Sequence, residues 1–298
     1  MFSNSSFALI GVVHLPPLPG APFNNLPFDD IVARAILDAN ALVEAGFDGL
    51  IVENFGDFPF LPNRVEPHTV AMMAVLTDHI ARSLPAAVRQ RVRIGVNVLR
   101  NDARAAVAVS SAAGADFVRV NVHVGTMATD QGILDGRAWE TLRYRRQIGA
   151  AVQVLADVFV KHAVPVGPVD LGEVARDTFE RGGADALVVS GSGTGVAPSV
   201  EDLVTVRRAV PSAPLVLGSG LDVRNLEQFV PLCDGAIVGT SIKRDGRVSN
   251  PVDPTRAQAL VERRDQLLRR AGETSGPPRA SAVARHLASR GGDSHGNA

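Results

Sequence analysis

Asp157 and Lys161 stand near the end of an apolar run, Gln153–Val160, that has the composition of a buried strand. A carboxylate and an amine at the mouth of a site suit proton transfer, and an amine whose pKa is lowered by burial is also a nucleophile toward carbonyl carbon. A solvated loop would accommodate the same lysine. Other apolar runs end on polar groups too: His14 closes Phe7–His14, Glu53 closes Gly49–Glu53, and Asn97 lies near the end of Val92–Val98. In Phe117–Val122, Arg119 and Asn121 share one parity with the following His123, while Val118, Val120 and Val122 share the other. Strand side chains alternate between faces, so valines facing a helix layer would turn the polar set into an enclosed interior. Buried charges need partners, and Arg119, Asp157 and Glu53 therefore invite an ion-pair network in which Arg119 is structural. His14, Glu53, Asp157 and Lys161 are the candidate catalytic groups. Asn97, Asn121, Arg119 and His123 are candidates for substrate contacts.

Two further runs carry a different chemistry. Leu215-Val-Leu217 leads into Gly218-Ser219-Gly220, and Ala236-Ile-Val238 leads into Gly239-Thr240-Ser241. Glycines placed just past a buried strand let a phosphate reach backbone N–H groups and the start of the next helix. Two such passages at the ends of consecutive late strands match the phosphate grip of (β/α)8 barrels after strands seven and eight. Tight turns without a ligand would use the same glycines. Ser190 opens a third glycine-rich run, Ser190-Gly-Ser-Gly-Thr-Gly195, that would wall the same site. Asp130, within Thr129-Asp-Gln-Gly132, is a candidate substrate contact or a turn former.

Positioning these groups takes eight strands that alternate with helical patterns, which makes the chain α/β with a parallel sheet. Beyond the runs already named, Ala186–Ser190 reads as the sixth strand. Helices are expected near 28–45, 69–82, 102–113, 139–151, 169–181, 200–209, 223–230 and 254–270. Three helix-to-strand passages resemble one another: Glu44-Ala-Gly-Phe-Asp48, Ala113-Gly-Ala-Asp116 and Arg181-Gly-Gly-Ala-Asp185. Each supplies a glycine to stop the helix and an acid before a strand. The loops 54–68 and 123–137 leave the C-terminal ends of strands and are long enough to be expected as lids. Residues 1–271 are read as one barrel domain, and 272–298, rich in Gly, Ser, Pro, Arg and Ala, as a disordered tail.

Composition excludes several alternatives. The 298 residues are 46% hydrophobic and 20% charged, with a net charge of −1, so nothing favours a nucleic-acid partner. The one cysteine, Cys233, forms no internal disulfide and suits a reducing compartment, which points to the cytoplasm. No stretch approaches the roughly 20 apolar residues of a membrane span, although peripheral attachment remains compatible. His14, His68 and His123 with Glu53 or Asp157 could hold a divalent metal, although no metal-ligand spacing supports it, and no other cofactor is assigned. A homo-oligomer is compatible with the sequence.

The motifs together resemble the BtpA/SgcQ family. They are Gly11-Val-Val-His-Leu-Pro-Pro-Leu-Pro-Gly20, Asp48-Gly-Leu-Ile-Val-Glu-Asn54 with Gly56-Asp57, Arg93-Ile-Gly-Val-Asn97, Phe117-Val-Arg-Val-Asn121, Thr129-Asp-Gln-Gly132 with Leu142-Arg-Tyr-Arg145, Ala156-Asp-Val-Phe-Val-Lys-His162, the run from Ser190 to Gly195, and Gly239-Thr-Ser-Ile-Lys243. The resemblance spans about 7–268 and implies a TIM barrel of the ribulose-phosphate-binding type. It carries no settled activity, since the family is named for a cyanobacterial factor linked to photosystem I accumulation while other members look like enzymes encoded beside sugar-uptake genes. Two functions are therefore expected: an isomerase, epimerase or aldolase acting on a phosphorylated sugar or nucleoside-like metabolite, or a non-catalytic assembly factor for a membrane complex.

Overall fold

The computed structural model describes residues 7–273. Its strands are β1 (Ala8–His14), β2 (Gly49–Glu53), β3 (Arg93–Asn97), β4 (Phe117–Val120), β5 (Thr126–Thr129), β6 (Gly132–Asp135), β7 (Gln153–Asp157), β8 (Ala163–Pro165), β9 (Ala186–Val189), β10 (Leu215–Leu217) and β11 (Gly235–Val238). All but β5, β6 and β8 pair in parallel and close a barrel in the order β1-β11-β10-β9-β7-β4-β3-β2. Around it lie α1 (Phe28–Ala45), α2 (Pro67–Ser83), α3 (Ala86–Arg91), α4 (Ala103–Ala113), α5 (Ala138–Gln147), α6 (Leu171–Arg176), α7 (Val200–Ala209), α8 (Leu226–Phe229) and α9 (Pro254–Glu273). The fold is the expected (β/α)8 TIM barrel.

The helices bury apolar stripes on the outer face of the strands. In α1 the stripe is Ile31, Ala35, Ala39 and Leu42, and Gly46 ends the helix at φ 96°, a conformation glycine adopts without strain. Gly11 of β1 has no Cβ because one would lie 2.6 Å from a Leu42 methyl. Inside the barrel, Ile10, Ile51, Phe117, Leu155, Ala186, Val188, Val216 and Ile237 form the apolar floor. Gly95 leaves room for the Phe117 ring, whose Cε2 would stand 2.1 Å from an added Cβ. Toward the C-terminal ends of the strands the inward positions become polar.

The repeated acids work at the opposite end. Asp48, just before β2, accepts the Leu9 N–H of β1 at 2.8 Å. Asp116, before β4, accepts from Ile94 of β3 at 2.8 Å, and Asp185, before β9, accepts from Val154 of β7 at 2.7 Å. Asp234, before β11, repeats the contact with Leu215 of β10 at 2.8 Å. Every second barrel strand thus begins with an aspartate that grips its predecessor, a fourfold pattern of which three members stand out in sequence. An arginine backs each acid: Arg264, Arg89 with Arg93, Arg145 and Arg207 in turn.

Several expectations are corrected. The stretch 123–137 is no irregular loop: β5 and β6 form a hairpin that β8 joins as a three-stranded antiparallel sheet, over a small core of Val122, Met127, Leu134 and Val160. Barrel strands four and five stop at Val120 and Asp157, earlier than their apolar runs, because Val122 and Val160 turn away into that core. The helix expected near 169–181 is α6 followed by a π-helical stretch, Asp177–Arg181, and the helix expected near 223–230 shrinks to α8. Helix α9 runs to Glu273, two residues into the stretch assigned to the tail, and 274–298 lie outside the described residues.

Candidate functional site

The innermost polar group is a salt bridge. Arg119 donates from Nε and Nη2 to the two carboxylate oxygens of Asp157 at 3.1 and 2.9 Å. Asn121 Nδ2 donates to the same carboxylate at 2.9 Å and Ser190 Oγ at 3.3 Å, so four donor contacts converge on it. Burial alone would make the guanidinium easier to deprotonate, but the charge and hydrogen bonds of Asp157 outweigh it and hold the Arg119 pKa above its ordinary value. Asp157 is 3% exposed and lines neither cavity described below.

Nearer the mouth, Glu53 accepts from Asn97 Nδ2 at 2.7 Å, and its other oxygen lies 4.0 Å from His14 Nε2. The register explains the trio: His14 pairs with Glu53, and Glu53 with Asn97, across adjacent parallel strands. Burial first, then the charges of Lys243, Lys161 and Arg119, push the His14 pKa well below 6.5. Its imidazole is therefore neutral at pH 7, and Nδ1 is buried without a hydrogen-bond partner among the described residues. The neighbouring Lys243 is committed elsewhere, to Asp38 of α1 at 2.5 Å.

Lys161 follows β7 on a segment held by its own carbonyl, which accepts from Arg100 Nη2 at 2.6 Å. Among the described residues its Nζ makes no hydrogen bond or salt bridge. Burial lowers its pKa, Glu53 opposes that shift, and the Arg119 charge adds to it.

These groups open onto a cavity of about 520 Å³. One wall carries His14, Glu53, Arg119 and Lys161, and the other carries Gly218–Leu221, Gly239–Ile242, Thr194 and Arg256. Close packing accounts for the glycines: a Cβ on Gly218 would stand 2.2 Å from Ser190 Oγ, on Gly220 2.1 Å from the Ala197 nitrogen, and on Gly239 2.7 Å from His14 Cε1. Two hydroxyls tie the loops together, Ser219 donating to Val196 O at 2.7 Å and Ser241 to Leu221 O at 2.6 Å. The expected pair of helix N-termini is not there. Gly239 enters a three-residue 3-10 turn, Thr240–Ile242, and α8 starts only at Leu226. What the loops offer is backbone: among the described residues, the amides of Ser219, Gly220 and Leu221 donate to no other residue.

A smaller chamber of about 200 Å³ adjoins the first and shares Glu53, Arg119, Lys161 and Thr194 with it. Asn97 and Asn121 line this chamber, together with Phe55, Phe58 and Phe60 from the loop after β2. That loop is pinned at its base, which sequence reasoning missed. Asn54 Oδ1 accepts the Leu99 N–H at 2.7 Å, Asp57 accepts the Leu18 N–H at 2.8 Å, and Gly56 donates to Leu15 O at 3.0 Å. The signal was present as the Glu53-Asn54 and Gly56-Asp57 pairs.

Besides Asp157, three sequence candidates line neither cavity. His123 points away, with Nε2 2.8 Å from Gly182 O and 1% exposure, because the chain leaves the strand at Val120 and parity no longer governs it. Asp130 occupies the β5–β6 turn and accepts from Gln131. Ser190 lines neither cavity and serves the Arg119–Asp157 pair. No group of three or more His, Cys, Asp or Glu that could hold a metal occurs among the described residues.

Comparison with known proteins places the chain in a family. By structure the chain is similar to a KDPGal protein (TM-score 0.53, 16% identity, covering 90% of this chain and 100% of that one). It is also similar to tryptophan synthase of Mycobacterium tuberculosis (TM-score 0.56, 18% identity, covering 87% and 93%). At these identities the likeness speaks to the barrel alone. By sequence the chain is 44% identical over 254 residues to the photosystem I biogenesis protein BtpA of Synechocystis sp., covering 85% of this chain and 86% of the relative. It is 48% identical over 256 residues to an uncharacterized protein of Thermococcus kodakarensis, covering 85% and 94%. The BtpA family profile matches residues 5–266, and the chain belongs to the BtpA family.

Proposed function

We propose that this protein is an enzyme acting on a phosphorylated small molecule, gripped by its phosphate at the loops after the seventh and eighth barrel strands, β10 and β11, while Lys161 and Glu53 act on its carbon skeleton. The observation that carries this reading is the single cavity of about 520 Å³ that joins Gly218–Leu221 and Gly239–Ile242 to the uncommitted amine of Lys161. Unengaged amides and the Arg256 guanidinium suit a phosphate. Burial raises the fraction of Lys161 present as free amine, the form that removes a proton from carbon or adds to a carbonyl. Glu53, held by Asn97, is placed to exchange protons in either route, and neutral His14 can accept or donate a hydrogen bond. Isomerase- or lyase-type chemistry fits this set. The saturated carboxylate of Asp157 holds Arg119 in this scheme and moves no proton.

Thermal shift with a panel of phosphosugars and inorganic phosphate tests the reading. Thr240 lines the cavity, and Thr240→Asp places a negative charge there without filling a packed glycine position. A ligand at 100 times its Kd stabilises the wild type by about 2.7 kcal/mol, and Thr240→Asp is expected to abolish that shift. Lys161→Met is expected to keep binding and lose turnover. A wild type that no phosphorylated compound stabilises overturns the proposal.

One observation favours a second reading, a non-catalytic assembly factor: the name of the cyanobacterial relative. Among the described residues no helix is long and apolar enough to cross a membrane, and Phe55 and Phe60 line the second chamber. Co-purification with a membrane complex that survives Lys161→Met supports this reading.

A further inference from the structure

The second chamber has a chemistry that the phosphate cavity does not explain. Phe55, Phe58, Phe60 and Leu99 give it an apolar wall, and Asn97, Arg100, Asn121 and His162 line it beside the four residues it shares with the first cavity. An apolar cavity of about 150 Å³ is enough to take benzene, so about 200 Å³ accommodates a planar ring. Among the described residues, two polar atoms on its lining residues have no partner, Arg100 Nε and Asn121 Oδ1. Both residues are almost fully buried, at 4% and 2% exposure.

Their hydrogen-bonding roles are fixed by their neighbours. The Asp157 carboxylate can only accept from Asn121 Nδ2, which leaves Oδ1 of that amide as an acceptor in need of a donor. Arg100 spends Nη2 on the Lys161 carbonyl and keeps Nε–H as a donor in need of an acceptor. Buried polar groups are rarely left unpaired without a reason. A hydrocarbon ring would satisfy neither polar atom. A flat ring whose edge carries one donor and one acceptor would satisfy both atoms and pack on the phenyl wall.

Resting on the phosphate reading above, we propose that the substrate is a phosphate ester bearing a planar heteroaromatic ring. The ring occupies the Phe55–Phe60 chamber, the phosphate meets Gly218–Gly220 and Gly239–Ser241, and the linking atoms pass Glu53 and Lys161, which belong to both cavities.

Isothermal titration with ribose 5-phosphate, nucleoside 5′-monophosphates and the unphosphorylated nucleosides tests this, using the full chain and its Phe58→Ala and Phe60→Ala variants. Neither phenylalanine is fully buried, so both variants should fold. The wild type is expected to bind at least one nucleoside monophosphate about tenfold or more tighter than ribose 5-phosphate, in keeping with aromatic–base stacking. The double variant should erase that advantage and leave ribose 5-phosphate affinity within about twofold. Equal affinity for ribose 5-phosphate and every nucleotide, or an advantage that survives the double variant, overturns the ring proposal and leaves the phosphate reading standing. Phenylalanine-dependent binding of nucleosides with no contribution from the phosphate supports the ring chamber and sinks the phosphate reading. No binding by any of these compounds overturns both.

Discussion

Asp157 and Lys161 leave one apolar run and meet opposite surroundings. The carboxylate accepts from Arg119, Asn121 and Ser190, whereas the amine finds no partner among the described residues and faces both cavities. Sequence parity groups the two as a proton-transfer pair, because it reports which way a side chain points and not how many donors converge on it. The distinction has a measurable consequence. Removing one partner of a buried ion pair leaves the other charge uncompensated, which costs about 3–5 kcal/mol. Asp157→Asn keeps the shape but strands the Arg119 guanidinium, so a loss of that order is expected in chemical denaturation. Unchanged stability with lost turnover would return Asp157 to a catalytic role.

Strands and their connections divide the barrel into two ends. At the N-terminal end, four aspartates each clamp the preceding barrel strand, and the three found by inspection share a helix-stopping glycine that makes the passage visible. Asp234 escapes notice because its passage, Leu232-Cys233-Asp234, has no glycine before the acid, yet its contacts to Leu215 N and Arg207 match the others. At the C-terminal end, the polar ends of β1, β2 and β3 are legible because regular strands keep their parity to the last residue. His123 is not, since three residues beyond the end of β4 the backbone has turned. The hairpin of β5 and β6 is hidden for a related reason: each strand is four residues long, too short for alternation to stand out from a glycine-containing loop. Asp234→Ala should cost about 1–3 kcal/mol, the penalty for an unsatisfied buried N–H. It should also leave ligand affinity at the opposite end unchanged. A stability within error of wild type would show that the clamp is decorative.

Across the whole molecule, charges are treated differently at the two ends. The rim aspartates are all paired with arginines, and even the fully buried Lys243 has Asp38. Among the described groups of the mouth, Lys161 alone combines a lowered pKa with an unpartnered cation, a local cost that the proposed chemistry would account for. Lys161→Met keeps the length of the stem and removes that charge, while Glu53 retains its hydrogen bond from Asn97. The sign follows from proton linkage. Because burial holds the native pKa below the ordinary 10.5, the unfolded chain binds more protons between the two values, and wild-type stability rises with pH across that window. The methionine variant lacks this dependence, so it should melt above the wild type at pH 7. Its advantage should shrink as pH climbs toward 9.5, where the native amine is increasingly neutral. Melting temperatures of both proteins across that range decide the matter: a variant that melts below the wild type at pH 7, or a gap that widens with pH, would mean that the Lys161 cation stabilises the fold and is not held in reserve for chemistry.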